Sequence, residues 1–505
     1  MPSYKPLPKQ FTEGRLSKPM SDLLCTYNEG PRLVWELKHL STIIQVDRAH
    51  IVMLARQGYM TPTQAGAILA ELDDIRAAGP QNFTPAPGYG SMVLQVEKVL
   101  AERLGDDIAG RLPIARSRLD QGATVRRLVD KDNLLAVLEQ LLRLQETLLA
   151  AAAKQAQTPF LSYTHMQQAQ PTTYGHYLLA FSARLDDTFQ QLTQVYHRID
   201  RSPLGAVGLS GTTLNTDRDL TAWLLGFSDV LDNSRLGRDA YYQIELVFAL
   251  TMAMTLLNDL CCDLHVWSSV EFGTVELDDS LCSTSSVFPH KKNPYALETV
   301  KSKAGEAQGW VVSALSLFRN EGSGDTNGRN VGFVDETCTT VCNMMRLTSD
   351  IIEGTTVKEA RCEELLANAW VTTNRLGNVL LTGHHLDYRS AHSVVGRLVK
   401  NCLDREITRA NVTIEMLQDA VAEMAMEPLA MTQKELTAAL SHTEFISSSI
   451  SHGSIGPQQV ERLLVKATRQ HYKSVSWMEE TMRCLKVSEG ELDAATEELR
   501  RAPTP

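Results

Sequence analysis

The central part of the chain carries leucines at a helical spacing. In residues 132–157 the apolar side chains recur every three or four positions, which is the period of one face of an α-helix. These positions are Leu134, Leu135, Leu138, Leu141, Leu142, Leu148 and Leu149. Residues 240–270 are apolar nearly all round. A helix without a polar face has to be covered on every side, so this segment is predicted to lie at the centre of a helix bundle.

Shorter helical patterns precede this region, and residues 61–79 carry the clearest of them. Thr61 or Thr63 is predicted to cap this helix, because a hydroxyl can accept a hydrogen bond from a free N–H of the first turn. Gly79 is predicted to end it, because glycine readily adopts the backbone conformations of helix ends. The segment 82–91, rich in proline and glycine, is the clearest loop.

Alternating polar and apolar positions, the mark of a half-buried strand, are nearly absent along the chain. The fold class is therefore predicted to be all-α, with three mainly helical domains and a long central helix bundle. We place an N-terminal helical domain at 1–115, the central bundle at 116–366 and a C-terminal helical domain at 367–505. Thr413 is a predicted helix cap in the last of these domains.

Composition and charge argue against several classes of protein. The chain has 505 residues and a formal net charge of −11, whereas a nucleic-acid binder needs a broad basic surface. The nine cysteines include no Cys-x-x-Cys pair, so we expect neither a disulfide scaffold nor a metal site. Reduced thiols and the lack of a secretory signal favour the cytoplasm. We see no run of about 18 apolar residues and expect no membrane span.

Three polar segments interrupt the helical patterns, at residues 115–124, 162–177 and 283–305. The third opens with STSSVFPHKKNP, which holds too many helix-weakening residues and too much positive charge for a buried helix. Each segment lies at or near the end of a long helical pattern. Ends of bundle helices can meet in one place, within one chain or between several subunits, so the three segments are candidates for a common site.

The serine loop has the chemistry of a base beside a carboxylate site. Ser285 or Ser286 can act as a general base if nearby positive charge stabilises the alkoxide. Lys291 and Lys292 supply such charge, and they can also hold a carboxylate whose negative charge grows when a neighbouring C–H is deprotonated. Asn293 offers an amide donor. We therefore predict a catalytic loop that closes over a dicarboxylate.

Two further groups suit such a site. His165 is a candidate proton carrier with Glu298 as its orienting partner, and Arg118 can clamp a carboxylate with two hydrogen bonds. Simpler interpretations stay open for each segment. A serine pair before a helix is commonly a cap, a single histidine near a helix end commonly bonds within the core, and Arg118 beside Asp120 can belong to a surface ion-pair cluster. The glycine-rich segment 321–332 lacks the spacing of a phosphate loop.

Together, the segments resemble the argininosuccinate lyase branch of the fumarase/aspartase superfamily. Residues 284–294, TSSVFPHKKNP, are similar to the family signature G-S-S-x-M-P-x-K-K-N-P, and YTHMQQAQPTTYGHYL matches the family segment T-H-x-Q-x-A-Q-P. SRLDQGAT resembles S-R-N-D-Q-x-A-T. PLGAVGLSGTTLNT, WSSVEFG and RSAHSVVG are similar to further family segments in the expected order. The resemblance covers nearly the whole chain.

The resemblance implies a homotetramer whose active sites are shared between subunits. It also implies a reversible β-elimination that releases fumarate and an amine, without a metal or organic cofactor. By position, Ser285 resembles the base that removes the β-proton. The other implied catalytic residues are His165, Glu298 and Lys291, and the implied substrate-binding residues are Arg118, Thr164, Gln167, Ser286 and Asn293.

Several departures from the family pattern bear on the substrate. Leu119 stands where the family has the Asn of S-R-N-D, and residues 90–93 stand where it has a Glu-Asp-Ile-His cluster. Gly322 and Gly324 fall roughly where it has Tyr-x-Lys. Because a buried polar substrate atom would lose its partner at Leu119, the predicted substrate is an N-substituted aspartate other than argininosuccinate. Argininosuccinate lyase, an inactive structural or binding relative, and elimination of a non-nitrogen group are the alternatives.

Overall fold

The computed structural model describes residues 18–319 and 327–501. Its first helices are α1 Asp22–Leu24, α2 Gly30–Lys38, α3 Leu40–Arg56, α4 Pro62–Ala78, α5 Met92–Leu104 and α6 Asp106–Ala109. Thr61 caps α4 in a capping box, and Gly79 follows its end with a φ of 75°, as predicted. Apolar side chains of α2 to α5 share one buried core, which forms the N-terminal layer of the protein.

Five long helices form the central bundle. They are α7 Arg118–Lys154, α8 Tyr174–Ile199, α10 Tyr241–Trp267, α11 Tyr295–Leu317 and α12 Phe333–Glu353, and the short α9 Arg218–Leu224 precedes α10 in the chain. The leucines predicted for the buried face of residues 132–157 all lie in the bundle core. The helix that contains them begins earlier than the leucine pattern, because Ser117 caps it.

The helices α8 and α10 run in opposite directions along the bundle, and their contacts mark its two ends. Tyr177 near the start of α8 donates to Asp263 near the end of α10 at 2.9 Å, and Arg198 at the other end of α8 pairs with Glu245 at 3.0 Å. We call the end where α7 begins at Arg118 the arginine end. The opposite end, where α10 leads into the loop that contains Ser285, is the serine end.

The helix α10 is apolar over most of its surface, as predicted. Its most apolar 18-residue window has a mean hydropathy of 1.6, so by length and composition alone it could cross a membrane, contrary to our expectation. However, 61% of that window is buried inside the protein, and Leu250, Ala253 and Leu257 lie in the bundle core. The core helix of a bundle can be equally long and apolar, so one such helix is weak evidence for a membrane span.

Six shorter helices follow the bundle: α13 Glu359–Asn368, α14 Thr373–Gly383, α15 Tyr388–Asp404, α16 Ile414–Glu423, α17 Gln433–Leu440 and α18 His442–Ser447. Helices α14 to α17 share a separate core, and Thr413 caps α16 as predicted. Because this core is not continuous with the others, the region has the organisation of a small domain.

The last helix, α19 Pro457–Arg500, packs away from that small domain. His471 of α19 lies 3.0 Å from Gln145 of α7, and Asp493 pairs with Arg48 of α3 at 2.7 Å. The interval 367–505, predicted as one C-terminal domain, therefore contains a long helix that packs on the bundle and on the N-terminal layer. Hydrophobic spacing predicts that a helix forms, but it does not say which neighbour the helix packs against.

The described part of the chain also holds four two-stranded sheets. The pairs are β1 Pro159–Thr164 with β2 Gln167–Thr173, β3 Arg201–Ser202 with β4 Asp229–Val230, β5 Val275–Leu277 with β8 Thr355–Val357, and β6 Ser283–Thr284 with β7 Lys292–Asn293. All pairs are antiparallel except β3 with β4. With 70% helix, the all-α prediction is confirmed. The prediction missed the strands because buried and exposed positions do not alternate along the two longest of them, β1 and β2.

Candidate active site

The main feature of the arginine end is the capped N-terminus of α7. Ser117 caps α7, and the buried Asp120 carboxylate accepts from the Ser117 N–H at 2.7 Å. The same carboxylate accepts from the N–H groups of Gly205 at 2.8 Å and Val207 at 3.0 Å. Burial raises the pKa of Asp120, and these hydrogen bonds oppose that rise. Asp120 is thus not part of a surface ion pair with Arg118. It fixes the backbone that carries Arg118.

Arg118 itself is exposed and lines a cavity of about 740 Å³. Leu119 and Val93, which stand at two departures from the family pattern, are part of its apolar wall. Gly322 and Gly324 lie outside the described residues. The charged side chains among the described lining residues are Arg32, Arg118, Arg126, Arg238, Arg329, Glu29 and Glu36. With positive groups in excess among them, the cavity suits an anionic ligand.

Thr164, His165 and Gln167 lie at the tip of the β1–β2 hairpin and are exposed. The two-residue turn consists of His165 and Met166, whose φ angles are 54° and 57°. Residues other than glycine and asparagine seldom adopt this left-handed conformation, and such strain often marks functional positions. The alternative that His165 bonds within the core does not hold, because its side chain projects from the tip into solvent.

Ser285 lies in the loop between β6 and β7. Its Oγ accepts hydrogen bonds from the backbone N–H groups of Val287 at 3.2 Å and Phe288 at 3.0 Å. Two N–H donors on one hydroxyl oxygen stabilise negative charge there, which is what a serine base requires. The alternative that the serine pair caps a helix does not hold, since Pro294 occupies the N-cap position of α11. Ser286 is exposed in the same loop.

A second cavity, of about 810 Å³, opens beside this loop. Lys291, Asn293 and Glu298 line it, so three of the predicted site residues face one space. Lys292 also lines the cavity, but it forms ion pairs at the base of the loop. Its Nζ lies 2.6 Å from Asp279 and 3.4 Å from Glu276. Within the described residues, no carboxylate pairs with Lys291. Of the two lysines, Lys291 is therefore the one available to a ligand.

The structure separates the predicted residues into two groups. Arg118 is the first residue of α7, which is 37 residues long, and the hairpin with His165 follows the other end of this helix. At 1.5 Å per residue the helix is about 55 Å long, so Arg118 and His165 lie at opposite ends of the bundle. The hairpin and the serine loop share the serine end, where the rings of Tyr163 and Phe272 lie 5.4 Å apart.

The predicted pair of His165 and Glu298 does not form within the described residues of one chain. Glu298 instead lies near another histidine, His265. Burial and the charge of Lys301 lower the pKa of His265, and Glu298 opposes this fall. His265 is bonded to Lys301 at 3.0 Å. Neither His265 nor Lys301 was predicted from the sequence as a site residue. The only available signal was a histidine near the end of an otherwise apolar helix.

A protein-family model described as "Lyase" matches residues 15–309, and a model described as "Argininosuccinate lyase C-terminal" matches residues 378–447. Argininosuccinate lyase 1 of Shouchella clausii is 30% identical over 458 residues, which are 89% of this chain and 92% of the relative. Argininosuccinate lyase of Methanospirillum hungatei is 32% identical over 445 residues, covering 86% and 88% of the two chains.

Among solved structures, EDDS lyase in complex with formate superposes with a TM-score of 0.84 at 25% identity, covering 96% of this chain and 97% of that one. The 3-carboxy-cis,cis-muconate lactonizing enzyme from Pseudomonas putida shares the fold with a TM-score of 0.70 at 18% identity, covering 90% and 100%. The chain therefore belongs to the fumarase/aspartase superfamily of lyases, in its argininosuccinate lyase-like branch.

Proposed function

We propose that the protein catalyses the reversible β-elimination of an N-substituted aspartate to fumarate and an amine or another nitrogen nucleophile. The observation that carries this proposal is the serine loop, in which Ser285 Oγ accepts two backbone N–H groups beside a cavity lined by Lys291 and Asn293. The similarity to EDDS lyase, of which a variant is known with bound fumarate, supports the dicarboxylate side of the reaction.

In this mechanism Ser285 removes a proton from the β-carbon of the substrate, which is bonded to the side-chain carboxylate and lies next to the carbon that carries the nitrogen. The electron pair of that C–H bond moves onto the carboxylate, where Lys291 and Asn293 stabilise the added negative charge. Collapse of this intermediate forms the C=C bond of fumarate and breaks the C–N bond of the protonated amino group, which takes the electron pair of that bond and leaves as a neutral amine. The exposed Ser286 is available to hydrogen-bond the same dicarboxylate.

The complete site is proposed to form between subunits of a homotetramer. Arg118 lies about 55 Å from the hairpin that carries Thr164, His165 and Gln167, too far for one substrate to touch both. Apolar side chains on the bundle surface offer a face for association. They are Phe248, Met252, Val312 and Leu315, between 45% and 66% exposed in the single chain. Packing of neighbouring bundles on this face would bring an arginine end to a serine end, and His165 to a Glu298.

The proposed substrate is not argininosuccinate. Leu119 and Val93 make part of the cavity beside Arg118 apolar, where argininosuccinate would need polar partners for its guanidino and amino acid groups. Argininosuccinate lyase is the second candidate, favoured by relatives at about 30% identity over most of the chain. An inactive scaffold is disfavoured by the intact geometry around Ser285.

The reverse reaction tests this proposal directly. Purified protein is incubated with fumarate and, separately, arginine, ammonia, hydroxylamine, hydrazine, diamines and amino acids, and the loss of fumarate absorbance is followed. We expect consumption with an amine other than arginine. Consumption with arginine alone would establish the second candidate. Loss of fumarate at the same rate with Ser285→Ala would refute Ser285 as the base, and an inert wild type that also fails to bind fumarate would refute the lyase mechanism.

A further inference from the structure

His265 occupies the last turn of α10 at the serine end, two residues before the helix ends. The side chain is half-buried and lines the 810 Å³ cavity together with Lys291, Asn293 and Glu298. No step of the proposed mechanism involves His265. A polar ring at the wall of the cavity that is proposed to take fumarate is therefore a candidate for direct contact with the substrate.

Lys301 of α11 determines which ring nitrogen of His265 carries the proton. The Nζ of Lys301 lies 3.0 Å from Nδ1 of His265. An ammonium group has only N–H donors, so Nδ1 has to accept, and the proton of the neutral ring has to be on Nε2. Lys301 is not among the residues that line the cavity. Because Lys301 occupies Nδ1, Nε2 is the ring nitrogen that is left for a ligand in the cavity that His265 lines.

The surroundings keep this ring neutral near pH 7. Burial, followed by the charge of Lys301, lowers the pKa of His265, and Glu298 opposes them. Lys301 contacts the ring. The other titratable groups that line the cavity are Glu298 on α11, His290, Lys291 and Lys292 on the serine loop, Glu276 on β5, Cys282 before β6 and Lys358 after β8. Among the described residues, no protein acceptor lies within hydrogen-bond distance of Nε2, so this N–H is available to a ligand.

We propose that His265 is a further substrate-binding residue, whose Nε2–H donates to a carboxylate oxygen of the dicarboxylate beside Lys291 and Asn293. This inference rests on the proposed function. A neutral donor suits the position, because a positive ring 3.0 Å from the Lys301 ammonium would be repelled by it. The direction of the N–H bond would then help to set the orientation of the carboxylate, which a mobile lysine side chain does less well.

Calorimetric titration with fumarate tests this contact without knowledge of the amine. The proteins compared are the wild type, His265→Leu, His265→Gln and Lys301→Met, with His197→Leu as a control at an exposed histidine near the far end of α8. Loss of a hydrogen bond to a charged group should weaken fumarate binding by about tenfold or more in His265→Leu. The glutamine of His265→Gln can accept from Lys301 and donate to the ligand, so it should recover most of the affinity.

A double-mutant cycle separates this contact from a merely structural role. Lys301→Met should weaken binding by less than His265→Leu does, because only the fixed tautomer is lost. In the His265→Leu background, Lys301→Met should add little further loss, since the two side chains act as one unit. Removal of the Lys301 charge should also raise the pKa of His265, which a shift of its ring resonances in an NMR titration would report.

The outcomes distinguish the two proposals. If the wild type does not bind fumarate, the proposed function fails, and this inference fails with it. If the wild type binds fumarate and folded His265→Leu binds it equally well, only the role of His265 is overturned. Should His265→Leu not fold, His265→Gln and Lys301→Met decide. Unchanged affinity in Lys301→Met, with an unchanged pKa of His265, would overturn the role of the pair.

Discussion

Both ends of the bundle carry side chains that are proposed to act on the same dicarboxylate substrate, but the backbone segments that hold these side chains differ. At the arginine end, Arg118 stands on a helix start whose cap and buried Asp120 carboxylate satisfy backbone N–H groups of two segments. At the serine end, Ser285 stands on an exposed loop closed by a ladder of two residue pairs. Lys292 and Asp279 join that loop to its neighbours, and the Asp279 side chain is 94% exposed.

This difference indicates a division of tasks. A group that holds a carboxylate gains from a rigid support, because less conformational freedom is lost when the ligand binds. A base has to approach the substrate and allow the product to leave, which a loop permits. Substitutions of the buried groups that support Arg118 should therefore change stability as well as activity. Substitutions in the serine loop should change activity with little effect on stability.

The largest effect is expected at the base. Ser285→Ala should lower the elimination rate by about 10³-fold or more, since general-base catalysis and charge stabilisation are lost together. The melting temperature should stay close to that of the wild type. Fumarate absorbance measures the first and calorimetry the second. Ser286→Ala is the matched control and should lose far less activity, and an equal loss in both variants would remove the distinction between the two serines.

Asp120→Ala should destabilise the protein by about 3 kcal/mol, because it leaves buried backbone N–H groups without an acceptor. Chemical denaturation of the purified protein measures the change. Asp279→Ala, at the serine end, is the matched control and should change the unfolding free energy little, since surface ion pairs contribute little. Equal destabilisation by the two variants would contradict the contrast between a rigid end and a loosely tied end.

Arg118→Leu should reduce kcat/KM by about ten- to a hundredfold, because a charge-assisted, two-point contact with a carboxylate is lost. Stability should change little, since the Arg118 side chain is exposed. Steady-state kinetics in the elimination direction measure the effect. An unchanged kcat/KM would show that Arg118 does not reach the substrate.

Mixing the subunits of two variants tests whether the arginine end of one chain and the serine end of another form one site. Neither Arg118→Leu nor Ser285→Ala alone should be fully active, but co-refolded mixtures should recover about a quarter of the wild-type activity if the two residues come from different chains. Random assembly would place an intact arginine and an intact serine together in that share of the sites. A mixture no more active than the average of its parents would mean that the site is not shared.

The smallest effect is expected at Lys292. Lys292→Met should lower kcat by less than about threefold, because its ion pairs with Asp279 and Glu276 are exposed and weak. The wild-type rate should approach that of the variant at high salt, where these pairs are screened. Lys291→Met is the comparison and should cost much more. A loss at Lys292 as large as that at Lys291 would show that both lysines contact the substrate.

Local rules predicted much of the helical structure. The capping residues Thr61 and Thr413 lie where predicted, and the leucines of residues 132–157 face the bundle core. The hairpin with His165 was missed as secondary structure, although its residues were identified through their resemblance to a family segment. The buried positions of its two strands lie next to one another and do not alternate with exposed ones, so the pattern typical of a strand is absent.

The sequence by itself determined the helices, their caps, the family and the candidate residues for the site, because spacing, side-chain chemistry and motifs are properties of neighbouring positions. Only the tertiary structure decided where those residues lie. It placed Arg118 and His165 at opposite ends of a helix about 55 Å long, packed α19 on the bundle, and set His265 against Lys301 at 3.0 Å. Such contacts depend on which helix faces couple across long sequence distances, and no local pattern records that.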